Sequence, residues 1–88
     1  MAWSVEFLLS AKRQIKELDR ATQQRITSYF HDRVLKAGDP RQFAKMLRGE
    51  KDGLWRFRIG DYRAICKIEE ERMLVLVLDV GHRREIYR

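Results

Sequence analysis

The stretch that decides the fold is Leu54-Trp55-Arg56-Phe57-Arg58-Ile59-Gly60-Asp61-Tyr62-Arg63-Ala64-Ile65-Cys66-Lys67-Ile68. Two runs rich in aromatic and β-branched residues flank Gly60-Asp61, which predicts strands over 54–59 and 62–68 joined by a tight turn. Alternation sends Trp55, Phe57 and Ile59 to one face and Leu54, Arg56 and Arg58 to the other. In the second strand Tyr62, Ala64, Cys66 and Ile68 share one parity, and Arg63, Ile65 and Lys67 the opposite one. If the turn sets the register, Arg63 joins Arg56 and Arg58 in one basic cluster.

Working outward, a turn over 69–72 leads to a third strand over 73–80, completing an antiparallel meander. Both faces of 73–78 are apolar, as expected of an interior strand covered on two sides. Upstream, Trp3, Val5 and Phe7 alternate with Ser4 and Glu6, the pattern of a half-buried strand. From Ser10, a suitable N-cap, Ala11, Ile15 and Leu18 recur at helical spacing, with Lys12, Arg13, Lys16 and Glu17 opposite. Asp19 or Thr22 caps a second helix with an apolar stripe of Ile26, Tyr29, Phe30, Val34 and Ala37, ended by Gly38 and Pro40. Residues 41–47 read as a further helical turn and 48–53 as a loop. The expected fold is α+β: an N-terminal strand, a two-helix antiparallel hairpin, then a three-stranded antiparallel meander. These form one twisted sheet with the helices on one face.

Eighty-eight residues predict a single domain over 1–88. Lys and Arg number 19 against 13 Asp and Glu, a net charge of +6. That balance favours polyanionic or acidic partners, nucleic acid first. Cys66 is the only cysteine, which excludes an internal disulfide and argues against a cysteine-based zinc site. The acidic residues show no ligand spacing, so neither a metal nor a cofactor is expected. A cytoplasmic setting fits. No apolar run has signal-peptide or membrane-spanning length, so no membrane association is expected.

The chain ends in His82-Arg83-Arg84-Glu85-Ile86-Tyr87-Arg88, which can fold over the arginine face. Guanidinium groups grip phosphate through paired N–H donors, and tyrosine rings stack on unpaired bases, so this set suits single-stranded RNA. Cleavage without metal requires a base to activate the 2′-hydroxyl, cations to stabilise the phosphorane, and an acid for the leaving 5′-oxygen. Histidine changes charge near neutral pH, which makes His82 a candidate base. Arginine stays protonated and makes Arg56 a poor one. The bland readings stand beside these. Three strand arginines are often a solvated face, Tyr87 could pack the terminus, Lys12, Arg13 and Lys16 commonly mark a soluble helix face, and Cys66 reads as a buried hydrophobe.

Leu47-Arg48-Gly49, the block Trp55-Arg56-Phe57-Arg58-Ile59-Gly60-Asp61-Tyr62-Arg63 and the block Val80-Gly81-His82-Arg83-Arg84-Glu85-Ile86-Tyr87 together resemble the RelE family of toxins. The resemblance covers nearly the whole chain. It implies a toxin of a type II toxin–antitoxin system, a ribosome-dependent endoribonuclease that cuts mRNA in the A site of the 70S ribosome. It further implies neutralisation by a RelB-like antitoxin, with which the toxin binds operator DNA as a repressor. Carried over by position, Arg56 and Arg58 match two basic strand residues, Arg63 a phosphate-gripping arginine, Arg83 a general acid and Tyr87 a base-stacking ring. Lys12, Arg13, Lys16, Arg48 and Arg84 are candidates for RNA or ribosome contact. Some members carry lysine where this chain has Arg56. Here either His82 takes the base role, the reading favoured, or Arg56 only orients and polarises the 2′-hydroxyl. The alternatives are a ParE-type gyrase inhibitor of similar fold and a non-enzymatic module that binds nucleic acid or antitoxin.

Overall fold

In the computed structural model, residues 2–49 and 53–82 are described. The order is β1 (Ser4–Phe7), α1 (Leu9–Lys16), α2 (Arg20–Ser28) running into a π-helical segment (Tyr29–Val34), a 3-10 turn (Pro40–Phe43), β2 (Ala44–Met46), β3 (Trp55–Ile59), β4 (Tyr62–Glu69) and β5 (Leu74–His82). Asp19 caps α2, accepting from the Thr22 backbone N–H at 3.1 Å. Ser10 does not cap α1. That role falls to Leu8 without a side-chain bond, and the Ser10 hydroxyl instead donates to the Leu78 carbonyl at 3.0 Å. Among the described residues, no helix is long and apolar enough to cross a membrane.

The sheet has the order β1-β5-β4-β3-β2, with β1 parallel to β5 and the other neighbours antiparallel. The α+β class is as expected, but one assignment is corrected. Residues 41–47 are not a helical turn: the 3-10 turn ends at Phe43, and Ala44–Met46 pairs with β3, Lys45 standing opposite Arg56. Asp39 and Pro40 start a turn that has no helical stripe to continue it. The outer edge of β3 then offers unpaired backbone donors and acceptors that the next residues satisfy.

The helices pack on one sheet face around Phe30, which is fully buried and meets Phe7 and Phe57 edge-to-face at ring-centre distances of 5.7 and 5.3 Å. Ile26, Val34, Phe57, Val75 and Val77 are also fully buried, and each such side chain contributes roughly 1.5–3 kcal/mol. Leu35 donates to the Phe30 carbonyl five residues back, the bond that makes this turn π rather than α.

An extra residue interrupts β5. Cys66 pairs with Val77 but Ile65 with Asp79, so Leu78 has no counterpart in β4. Beyond this bulge the side-chain alternation is inverted: Val75 and Val77 face the helices before it, and Val80 and His82 after it. The bulge lies where β1 gives out. β1 follows β5 only as far as Val77, and α1 takes over the exposed edge. The Gln14 carboxamide accepts from Val80 N–H at 2.7 Å and donates to the Asp79 carboxylate.

Candidate nucleic-acid interface and active site

The β3–β4 ladder places Arg58 directly opposite Arg63 and Arg56 opposite Ile65, so the three arginines share the sheet face away from the helices. Their side chains nevertheless go to three different places. Arg56 borders an open groove of about 760 Å³ with Lys45, Met46, Leu47 and Arg48. Lys45 and Arg56 meet there as cross-strand neighbours. The groove thus gathers three cations from β2, the following segment and β3.

Arg63 turns inward. It is only 5% exposed, and its Nη1 donates to the carbonyls of Gly60 at 2.8 Å and Tyr62 at 2.9 Å, bracing the hairpin turn. Among the described residues its buried Nε meets no hydrogen-bond partner. Gly60 holds φ of +60°, a left-handed conformation that glycine adopts without strain.

Arg58 is exposed and borders a second cavity of about 370 Å³, whose other wall carries Arg25, Tyr29, Asp32 and Arg33 from α2 and the π segment. β2 pairs β3 only up to Phe57, so the outer edge of β3 is uncovered at Arg58. Burial pushes the Tyr29 phenol above its ordinary value, and the neighbouring Arg33 charge pulls partly the other way.

His82 lies elsewhere. It pairs with Tyr62 across the β4–β5 ladder and meets that ring edge-on, centres 5.6 Å apart, on the face that Ala64 and Val80 share with the helices. The expectation that His82 shares a surface with the strand arginines is therefore corrected. Counting by twos from Leu74 would bring it to the arginine face, but the Leu78 bulge shifts Val80 and His82 by one position. Lys12 and Lys16 border a shallow cleft between the helices with Phe7 and Ile15, and Arg13 is exposed on α1, so none of these three lines the Arg56 groove. Arg48 does line it. Arg83, Arg84 and Tyr87 lie outside the described residues.

Sequence reasoning missed Lys45, placed in a presumed helical turn, and missed Arg25 and Arg33. Three residues of alternation at Ala44-Lys45-Met46 are too short a signal for a strand, and arginines on the polar face of a helix carry no mark of what they face.

Residues 5–87 match the family described as ParE toxin of the type II toxin–antitoxin system parDE. The chain belongs to the RelE/ParE superfamily of type II toxins. Toxin RelG of Mycobacterium tuberculosis is 30% identical over 88 residues, covering all of this chain and 99% of that one. Among solved structures, the toxin–antitoxin complex RelBE2 of M. tuberculosis matches with TM-score 0.86 at 26% identity, over 94% of this chain and 100% of the other. The archaeal RelE–RelB complex of Pyrococcus horikoshii matches with TM-score 0.75 at 26% identity, over 97% and 99%. These similarities make the chain a RelE-type toxin, and its arginine-bearing sheet belongs to a fold shared along nearly its whole length.

Proposed function

We propose that this RelE-type toxin is a ribosome-dependent endoribonuclease that cuts mRNA in the ribosomal A site in the cytoplasm, inhibits translation, and is neutralised by a RelB-like antitoxin. The observation that carries the reading is the groove in which Lys45, Arg48 and Arg56 gather on one side of the β2–β3 ribbon. Three converging cations in an open groove suit a phosphodiester backbone, which supplies most of the affinity in RNA binding.

In this reading the 2′-hydroxyl attacks the adjacent phosphorus and gives up its proton to solvent water, while the 5′-oxygen leaves and takes a proton from the acid, which yields a 2′,3′-cyclic phosphate and a 5′-hydroxyl. The Arg56 guanidinium stays charged throughout, so it orients the 2′-hydroxyl and donates to the phosphorane oxygens rather than removing a proton. His82, across the sheet, is the weaker choice of base. Arg83 as acid and Tyr87 as stacking ring rest on the family resemblance. The RelB partners named for the two structural relatives support a RelB-like antitoxin here, and with it a repressor complex on operator DNA.

The test is purified toxin added to translating ribosomes and, separately, to a gyrase supercoiling assay. Codon-positioned breaks in mRNA with supercoiling unaffected are expected. Inhibited supercoiling with intact mRNA would establish the ParE-type activity instead.

A further inference from the structure

The cavity beside Arg58 has no part in the reaction just described. Arg25 and Arg33 come to it from α2 and the π segment, Arg58 from the open end of β3, and the facing carboxylate is Asp32 alone. Among the described residues none of these three arginines is held in an ion pair. At least two positive charges are thus left without a counterion in one concave site.

A Cβ at Gly60 would lie 2.7, 2.9 and 3.0 Å from Nη2, Cζ and Nη1 of Arg25, so the Arg25 guanidinium lies directly against the bare backbone of the turn. On the other wall, Arg25, Ser28, Tyr29, Asp32 and Arg33 recur at helical spacing, so α2 and the π segment turn one continuous face to the cavity. The ligand that fits is a phosphodiester: several guanidinium forks can share its oxygens, and a polymer repeats the charge for neighbouring sites. Arg56 and Arg58 are two residues apart on β3, about 7 Å, so one polyanion rounding that strand edge can touch both cavities.

We propose that Arg25, Arg33 and Arg58 form a second RNA-phosphate site, separate from the Lys45–Arg48–Arg56 groove and on the helix side of the β3 edge. The proposal rests on the reading of this toxin as one that acts on RNA.

The test compares wild type, the pair Arg25→Gln/Arg33→Gln, and a control pair Arg20→Gln/Lys36→Gln that removes the same charge elsewhere. Each is titrated over a range of salt in two RNA arms, an uncleavable 2′-O-methyl RNA oligonucleotide and 70S ribosomes, and against an acidic antitoxin peptide for comparison. The site pair is expected to bind about tenfold more weakly than the control pair, with the slope of log K against log salt shallower by about 0.7 per phosphate lost. Loss in both arms assigns the phosphate to the bound strand, and loss with ribosomes alone assigns it to ribosomal RNA; either supports the site. Equal behaviour of the two pairs in both arms overturns it, and if Arg56→Ala still abolishes binding, the broader RNA reading survives. Wild type that binds neither probe overturns both. A site pair that weakens only an acidic antitoxin peptide assigns the cavity to protein and also overturns the proposal. Should the Gln pair unfold, Arg25→Lys/Arg33→Lys keeps the charges without the forks and is expected to bind at intermediate strength with the wild-type slope.

Discussion

Arg58 and Arg63 stand directly opposite one another in the β3–β4 ladder, yet their guanidinium groups part: Arg63 folds back onto the Gly60 and Tyr62 carbonyls while Arg58 faces Arg25 and Arg33. Like charges at facing positions repel, and the divergence relieves that. It also leaves Arg63 bonded within the hairpin turn and Arg58 at the wall of the cavity.

Arg63→Ala is expected to destabilise the fold as well as lower cleavage. Two charge-assisted bonds to backbone carbonyls are lost in a buried setting, together about 2–4 kcal/mol. Thermal unfolding by circular dichroism should show a fall of roughly 10–20 °C for a domain of this size. Arg56→Ala in the open groove should reduce cleavage by about 10²–10³. Equal melting temperatures for Arg63→Ala and wild type would remove the bracing role.

His82→Gln should leave the pH–rate profile of cleavage unchanged, because the sheet lies between His82 and Arg56. Single-turnover rates on programmed ribosomes across pH 5.5 to about 8.5 decide this. Loss of an acidic limb together with a large drop in rate would return the base role to His82.

Gln14→Ala should cost about 1–3 kcal/mol, since the Val80 N–H, part of a residue only 4% exposed, loses its acceptor. Gln14→Glu keeps that acceptor but sets a second carboxylate against Asp79, and should be the less stable at neutral pH and recover in acid. Urea denaturation at two pH values measures both.

Asp19→Asn tests the α2 cap through pH. Hydrogen bonds from the Thr22 hydroxyl and then its backbone N–H hold the Asp19 carboxyl below the ordinary value. A carboxyl depressed in the folded state stabilises fully above the unfolded value of about 4, and the contribution disappears as pH falls through the folded value. The melting-temperature gap between wild type and Asp19→Asn should be open at neutral pH and close in acid. A gap independent of pH would show that the charge contributes nothing.

Much of this architecture was legible from alternation and helical spacing. The β3–β4 hairpin, its register and the inward face of Phe30, Ile26 and Val34 follow from patterns carried by many residues, and of the two caps open for α2, Asp19 or Thr22, the structure takes Asp19. What escaped depends on single residues or on distant partners. Ala44–Met46 becomes a strand because β3 has an empty edge, a demand its own sequence does not express. Ser10 looks like a cap until the Leu78 carbonyl claims its hydroxyl. The site was legible as a set of cations but not as a geometry: shared parity placed Arg56, Arg58 and Arg63 on one face, while side-chain direction separated them. Arg25 and Arg33 acquire meaning only once the π segment is laid against the Gly60 turn.

The surplus residue in β5 also bears on how relatives are compared. A homologue lacking it would deliver the segment after Val80 from the other surface of the sheet, even with an identical ending. Correspondences counted backward from the terminus and forward from β4 would then disagree by one place, and only the forward count would preserve which side chains are neighbours in space.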